Sequence, residues 1–302
     1  MKHDTPAVGP TKIAGANPTS HAFISQNLKI RYLDWGNHGA PILILQHGNR
    51  DHAHSWDFIA QVLSKDWHVI VPDLRGHGDS DWSPDGVYSV AFYLYDFVQM
   101  IQQVSRDPVY IVAHSLGGYI ATRYAALYPH MVKKLVVIEG VGMPPEVAQY
   151  IAAHQIDEIW RNWIDERQKI EHKKRSKYKT VEDAVRRMMK ENPHLTAEQA
   201  AHFTHHGVVA NDDGTWSWKF DDYVRSMTPI DFTEEQLRYL YRQISCPVLL
   251  MRGEESWGAD PALDGTVDYF QNARFVSFPK SGHWPQHNQP EQFISELQKF
   301  LS

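Results

Sequence analysis

Residues Ile111–Gly118 read IVAHSLGG, and this octapeptide decides the fold. It joins the apolar run Val109–Ala113 to a helical pattern carried by Tyr119, Ile120, Tyr124 and Leu127. A run this short and this rich in Val, Ile and Ala suits a strand buried on both faces of a parallel sheet. Ser115 therefore stands at a strand-to-helix turn, with the small residues Ala113 and Gly117 two positions to either side. A turn that sharp brings the flanking positions into close approach, so both must be small, and it pushes the serine out at the carboxyl edge of the sheet. The free N–H groups and the dipole of the helix start favour negative charge beside it.

Outward from this turn the pattern repeats. Pro41–Gln46, His68–Pro72 and Lys134–Ile138 are further short apolar runs flanked by Gly, Pro or Asp, and Ile24–Trp35 alternates like one or two exposed strands. Val90, Leu94, Phe97, Val98, Ile101 and Val104 share one helix face behind Ser89, a suitable N-cap. Strand and helix in alternation predict an α/β fold with a mostly parallel sheet flanked by helices. From Met143 to Ile244 the alternation stops. Val147, Ile151, Ile159, Trp160 and Trp163 fall on a helix face, and Thr180 with Asp183 and Thr196 with Gln199 form capping boxes. The basic stretch HKKRSKYK, residues 172–179, reads as a solvated face or loop. Strand patterns return at Pro247 (PVLLM) and Ala273 (ARFVSFP), before a last helix with Phe293, Ile294, Leu297, Phe300 and Leu301 inward. The expected organisation is a flexible polar leader over 1–20, an α/β core over 21–142 and 245–302, and a helical cap over 143–244.

Composition narrows the function. The 302 residues carry 30 basic and 36 acidic side chains, a net charge of -6, which argues against a nucleic-acid partner. The single cysteine, Cys246, excludes an intramolecular disulfide framework and a Cys-rich zinc site, and reads as a buried small hydrophobe. No stretch approaches the roughly 18 apolar residues of a membrane span. The first twenty residues lack the apolar core of a secretory signal, so a cytoplasmic protein is expected. Among 18 histidines, His52 and His54, and His202, His205 and His206, have spacings that metal ligands can use. No motif such as H-E-x-x-H accompanies them, so neither a metal nor a cofactor is expected.

Three more segments follow predicted strands: Gln46-His47-Gly48-Asn49, then PDLRGHGDS from Pro72 to Ser80, and late in the chain Ser281-Gly282-His283-Trp284. A serine turn followed by a late histidine, each at a strand end, resembles the α/β-hydrolase fold of the lipase and esterase type with a helical cap, over the whole chain from about residue 21. The resemblance implies roles. Ser115 would be the nucleophile and His283 the general base, with the backbone N–H groups of Leu116 and Asn49 forming an oxyanion hole. His47 and His114 would hold neighbouring loops, and Asp73, Arg75, His77 and Asp79 would tie the loop after their strand. Serine at the turn separates this chain from haloalkane dehalogenases and epoxide hydrolases, which carry aspartate there.

The third member departs from the pattern. After PVLLM the chain reads Gly253-Glu254-Glu255-Ser256-Trp257, placing Ser and Trp where such proteins commonly hold an Asp. Some relatives supply the acid at the end of the strand after the nucleophile helix, which here is Glu139. A glutamate closing a buried strand is costly unless paired, so Glu139 is the expected acid, with Asp260 and Glu255 as rivals. Cap aromatics such as Trp160, Trp163, Phe203, Trp216, Trp218 and Tyr223, with Trp284 beside the histidine, suggest an apolar pocket for a small-molecule substrate. Arg50, beside the oxyanion loop, is placed to bind a substrate carboxylate. The expected activity is a serine hydrolase, a carboxylesterase, cleaving an ester, thioester or lactone through an acyl-enzyme. The alternatives are carbon–carbon bond hydrolysis or perhydrolysis on the same residues, or a ligand-binding protein with little turnover.

Overall fold

Seven alternating residues and a two-residue turn start the sheet: β1 (Thr19–Ser25) pairs antiparallel with β2 (Leu28–Asp34). The computed structural model describes residues 17–229 and 232–302. Most of the expected leader, residues 1–16, lies outside the described residues. The short apolar runs follow as β3 (Ile42–Gln46), β4 (His68–Pro72), β5 (Val109–His114) and β6 (Val132–Ile138). A small hairpin, β7 (Val208–Ala210) and β8 (Trp216–Trp218), stands apart, and β9 (Val248–Gly253) and β10 (Ala273–Phe278) complete the main sheet. Its order is β1-β2-β4-β3-β5-β6-β9-β10, parallel from β4 to β10.

Side-chain alternation along each parallel strand feeds two cores. Ile44, Ile70 and Ile111 face α2 (Val90–Val104) and α3 (Leu116–Leu127), where Phe97, Ile101, Ile120 and Tyr124 cover them. Leu43, Leu45, Val69 and Val112 face the other way, packing with Ile59 and Leu63, and with Phe293 and Leu297 of the last helix. Burying each such aliphatic chain stabilises the fold by about 1.5–3 kcal/mol relative to exposure. Both faces are closed, which is why these strands read as continuous apolar runs. Cys246 is buried in the first of these cores.

The stretch between β6 and β9 differs in detail from the sequence pattern. Val147 to Trp163 form two helices rather than one face: α4 (Pro145–Ala153) and α5 (Ile156–His172), with Gln155 and Glu158 closing a capping box at the break. Helices α6 (Val181–Glu191) and α7 (Ala197–Gly207) start at the Thr180 and Thr196 boxes. Helix α8 (Glu234–Gln243) lies within the 143–244 stretch, yet its Leu237 and Tyr241 are buried in the sheet core beside Ile120 and Tyr124. The chain therefore rejoins the core before residue 244, and the boundary drawn there runs one helix too far. Among the described residues no helix is long and apolar enough to cross a membrane.

Candidate active site

Because β5, β6 and β9 are parallel neighbours, their carboxyl ends place the loops carrying Ser115, Glu139 and Ser256 side by side. The loop after β10 adds His283. Ser115 caps α3 in a left-handed conformation, φ 51° and ψ -119°. A non-glycine residue held there costs on the order of 1–3 kcal/mol, so the surroundings must impose it. They do: its N–H donates to the Ile138 carbonyl at 2.8 Å, and its carbonyl accepts from Gly118 N at 2.8 Å. Gly117 is necessary, since a Cβ there would lie 2.6 Å from the His47 carbonyl oxygen. The hydroxyl that results is half-buried, and Ser115 Oγ lies 3.0 Å from His283 Nε2.

His283 is held from three sides. Its carbonyl accepts from His114 Nε2 at 2.8 Å, and the preceding Gly282 N–H donates to Asn288 at 3.1 Å. The Trp257 indole stacks on the imidazole, 4.3 Å between centroids and 25° between planes. Nδ1 faces Glu139 Oε2 at 3.5 Å and Ser256 Oγ at 3.4 Å.

Glu139 closes β6, also left-handed, at φ 55°. Its side chain is fully buried and fully engaged: Oε1 accepts from Gly253 N at 2.7 Å and Oε2 from the Ser256 hydroxyl at 2.8 Å. Gly258 makes room, because a Cβ there would come within 2.5 Å of Oε2, and its N–H donates to Ser256 Oγ at 3.0 Å. The two rivals face elsewhere. Asp260 lies 3.5 Å from Arg252 and accepts from Ala262 N at 3.1 Å, while Glu255 lies 3.5 Å from His194. Ser256 is what the sequence reading missed: the residue noted only for not being an acid sits between the carboxylate and the imidazole.

The structure places the other expected residues as follows. Leu116 is the first residue of α3, where helix geometry leaves the N–H unpaired. Asn49 Nδ2 donates to the Val224 carbonyl at 3.2 Å, and its Oδ1 lies 3.0 Å from His77 Nε2. Arg50 is exposed beside it, at φ 59°, with Arg225 near enough to repel its charge. Trp284 packs edge-on against His114 and Phe203, 6.4 Å from each. Burial drives the pKa of His47 and of His114 well down, in keeping with loop-holding roles. Asp73 accepts from Ala53 N and Asp79 N, and Arg75 pairs with Asp96 through bonds of 2.6 and 2.7 Å.

Most aromatics expected in the pocket are engaged within the insertion. Trp160 meets Trp163 edge-on, Trp163 reaches the Ser226 carbonyl, Trp218 stacks on Phe220, and Tyr223 lies under Arg167. A cavity of about 450 Å³ opens between Met143, Leu237, Tyr241 and Ala259, but neither Ser115 nor His283 lines it. Among the described residues two groups of side chains have metal-ligand spacing, Asp34 with His38 and His68, and His54 with Asp57 and His206.

A hydroxyl, an imidazole and a buried carboxylate in this order can pass a proton from oxygen to nitrogen and hold the resulting positive charge. Comparison with known proteins bears on the fold. A family model of the alpha/beta hydrolase fold matches residues 41–173. A serine hydrolase-like protein of Danio rerio is 28% identical over 281 residues, 88% of this chain and 83% of that one. An epoxide hydrolase of Mus musculus is 24% identical, over 92% of this chain and 75% of its own. An esterase of Mycobacterium tuberculosis is 26% identical, over 90% and 86%. Among solved structures, the thioesterase domain from the curacin biosynthetic pathway superposes with a TM-score of 0.82 at 21% identity, covering 94% of this chain and 99% of that domain. Sheet order, the serine turn and these likenesses together give the chain the α/β-hydrolase fold.

Proposed function

We propose that the protein is a serine hydrolase that cleaves a carboxylic ester, thioester or lactone through an acyl-enzyme. The observation that carries the reading is Ser115 Oγ at 3.0 Å from His283 Nε2, at a helix N-terminus, with Glu139 behind the imidazole. His283 takes the hydroxyl proton as Ser115 attacks the substrate carbonyl, then returns it to the leaving group. Glu139, assisted by Ser256, fixes the tautomer with the proton on Nδ1 and stabilises the imidazolium. The N–H groups of Leu116 and Asn49 receive the oxyanion, each donor contributing about 2.7–4 kcal/mol. Water then repeats the sequence on the acyl-enzyme. The insertion over 143–229 serves as a lid.

A fluorophosphonate probe and a panel of p-nitrophenyl esters test this. Labelling at Ser115, abolished together with turnover by Ser115→Ala, is expected. Labelling elsewhere, or turnover that survives Ser115→Ala, overturns it. Arg50 carries a second reading, in which a substrate carboxylate is bound and a carbon–carbon bond is cleaved on the same residues. A kcat/KM for anionic substrates far above that for neutral esters, lost in Arg50→Ala, selects that reading.

A further inference from the structure

Two segments far apart in sequence meet at the seam between the insertion and the core. His54 lies in the short helical turn Ala53–Trp56, which leads into α1 (Asp57–Leu63). His202 and His206 occupy one face of α7, four residues apart. Asp57 Oδ2 accepts from His54 Nδ1 and from His202 Nε2, each at 2.9 Å. His206 lies flat against His54, 4.0 Å between ring centroids and 20° between planes. The ligand-type atoms of His54, Asp57 and His206 all lie within 4.8 Å of one another.

The hydrogen bonds around Asp57 are lopsided. Oδ2 takes both N–H groups, while Oδ1 is buried and has no partner among the described residues. A bare carboxylate oxygen out of water is costly unless something positive is bound beside it. Phe58 packs against His202 and Phe203, while Lys219, paired with Asp79 at 2.7 Å, lies near enough to act on His206.

We propose that His54, Asp57 and His206 form a transition-metal site that staples α7 of the insertion to the core. Two imidazoles and one carboxylate suit zinc, cobalt, nickel or copper, whereas calcium and magnesium prefer all-oxygen sets. Metal–ligand bonds of about 2.0–2.2 Å put neighbouring ligand atoms roughly 3.4 Å apart in a tetrahedral site, so the set closes by side-chain rotation of about an ångström. When the ion binds, the His54 proton moves from Nδ1 to Nε2 by exchange with solvent, leaving Nδ1 as the ligand atom of a neutral imidazole. His202 keeps its hydrogen bond to Asp57 and orients the carboxylate, the usual outer partner of a metal ligand. Water fills the remaining position. His54 and Asp57 lie shortly after Asn49 in the same chain segment, so the ion fixes the insertion over the loop that carries this amide.

The test uses tag-free full-length protein, stripped with a chelator and titrated with zinc chloride by calorimetry and with cobalt chloride by visible absorption. One equivalent of zinc at micromolar concentration, tetrahedral cobalt bands and a higher Tm with zinc are expected. His206→Gln and His54→Ala each weaken zinc binding by at least tenfold and remove the Tm rise, with circular dichroism confirming that both fold. His38→Ala, at the other group, leaves binding unchanged. Absence of saturable uptake at micromolar zinc overturns the proposal. So does uptake that survives both seam variants, or that is lost in His38→Ala. None of these readouts depends on the reaction at Ser115.

Discussion

Exchanging Glu139 for Gln, and then moving the carboxylate to position 256, tests the geometry around His283 most directly. Glu139→Gln preserves shape, and its oxygen can still accept from Gly253 N. Its amide nitrogen, however, faces Ser256 and His283 Nδ1 with hydrogens, so the imidazole is driven to the wrong tautomer. Loss of an oriented acid costs on the order of 10⁴-fold in kcat, about 5.5 kcal/mol. Ser256 Oγ lies 3.4 Å from His283 Nδ1, and an Asp at this position carries its oxygens about 1.2 Å further out. At an effective dielectric near 20, a carboxylate ~3.4 Å from the imidazolium contributes roughly 5 kcal/mol of attraction before geometric losses. Ser256→Asp in the Glu139→Gln background should therefore recover 10- to 100-fold of kcat, with KM little changed. In the wild-type background the same substitution sets two carboxylates side by side, which then share a proton. Tm falls there, and activity acquires a new pH dependence. Steady-state hydrolysis of p-nitrophenyl butyrate reads all three variants. Glu139→Gln within tenfold of wild type, or Asp260→Asn as the inactive variant, refutes the assignment of the acid. An inactive Glu139→Gln with no recovery in the double variant refutes the claim that position 256 faces Nδ1.

Gly258→Ala forces a methyl against Glu139 Oε2, so kcat should drop by at least tenfold while KM holds, as measured on the same ester. Arg75→Met strands the buried Asp96 carboxylate and should cost about 3–5 kcal/mol in urea unfolding; a loss below about 1 kcal/mol would mean that the pair is not a desolvated one. Stability should also fall steeply in acid. Burial lowers the pKa of His52 and His287 to about 3 and of His77 to about 4, with His47 and His114 also driven well down, so the native state refuses protons that the unfolded chain takes up near pH 6.5. Burial acts oppositely on Asp51 and Asp73, raised to about 7 and about 6, which keep protons in the native state that the unfolded chain sheds. The lowered histidines outnumber the raised carboxyls, so between about pH 6.5 and pH 5 the unfolded chain binds more protons than the native state and stability falls on acidification. A Tm unchanged between pH 6.5 and 5 contradicts this.

The sheet and the serine turn were legible because both are local. Strands closed on two faces must be apolar throughout, and a sharp turn must be small at Ala113 and Gly117. Glu139 was legible by its cost: a carboxylate at the end of a buried strand needs a reason. Ser256 was not, since only the fold shows that a hydroxyl can bridge an acid that arrives from β6. The break between α4 and α5 escaped notice because Gln155 is an unusual N-cap and the apolar spacing runs straight across it. Helix α8 was read only as part of the helical stretch 143–244, and nothing local in its sequence says which surface it covers. The group at Asp57 was only half legible: the sequence marked His54 and His206 by local spacing, but bringing them together on Asp57 joins segments some 145 residues apart, a separation that carries no spacing rule.

Asn49 has one end in each half of the molecule. Its amide N–H is the donor assigned to the oxyanion, while its side chain is anchored on Val224, a carbonyl of the insertion. In the proposed role of the insertion as a lid, lifting it would release Nδ2 from Val224 while Oδ1 stays with His77, so the loop that offers the donor would keep one of its two side-chain ties. Stabilisation of developing charge depends on dipoles that need not reorient at the moment of reaction. On the proposed mechanism the donor would be held most firmly with the insertion seated, which would tie the arrival of substrate to the readiness to react.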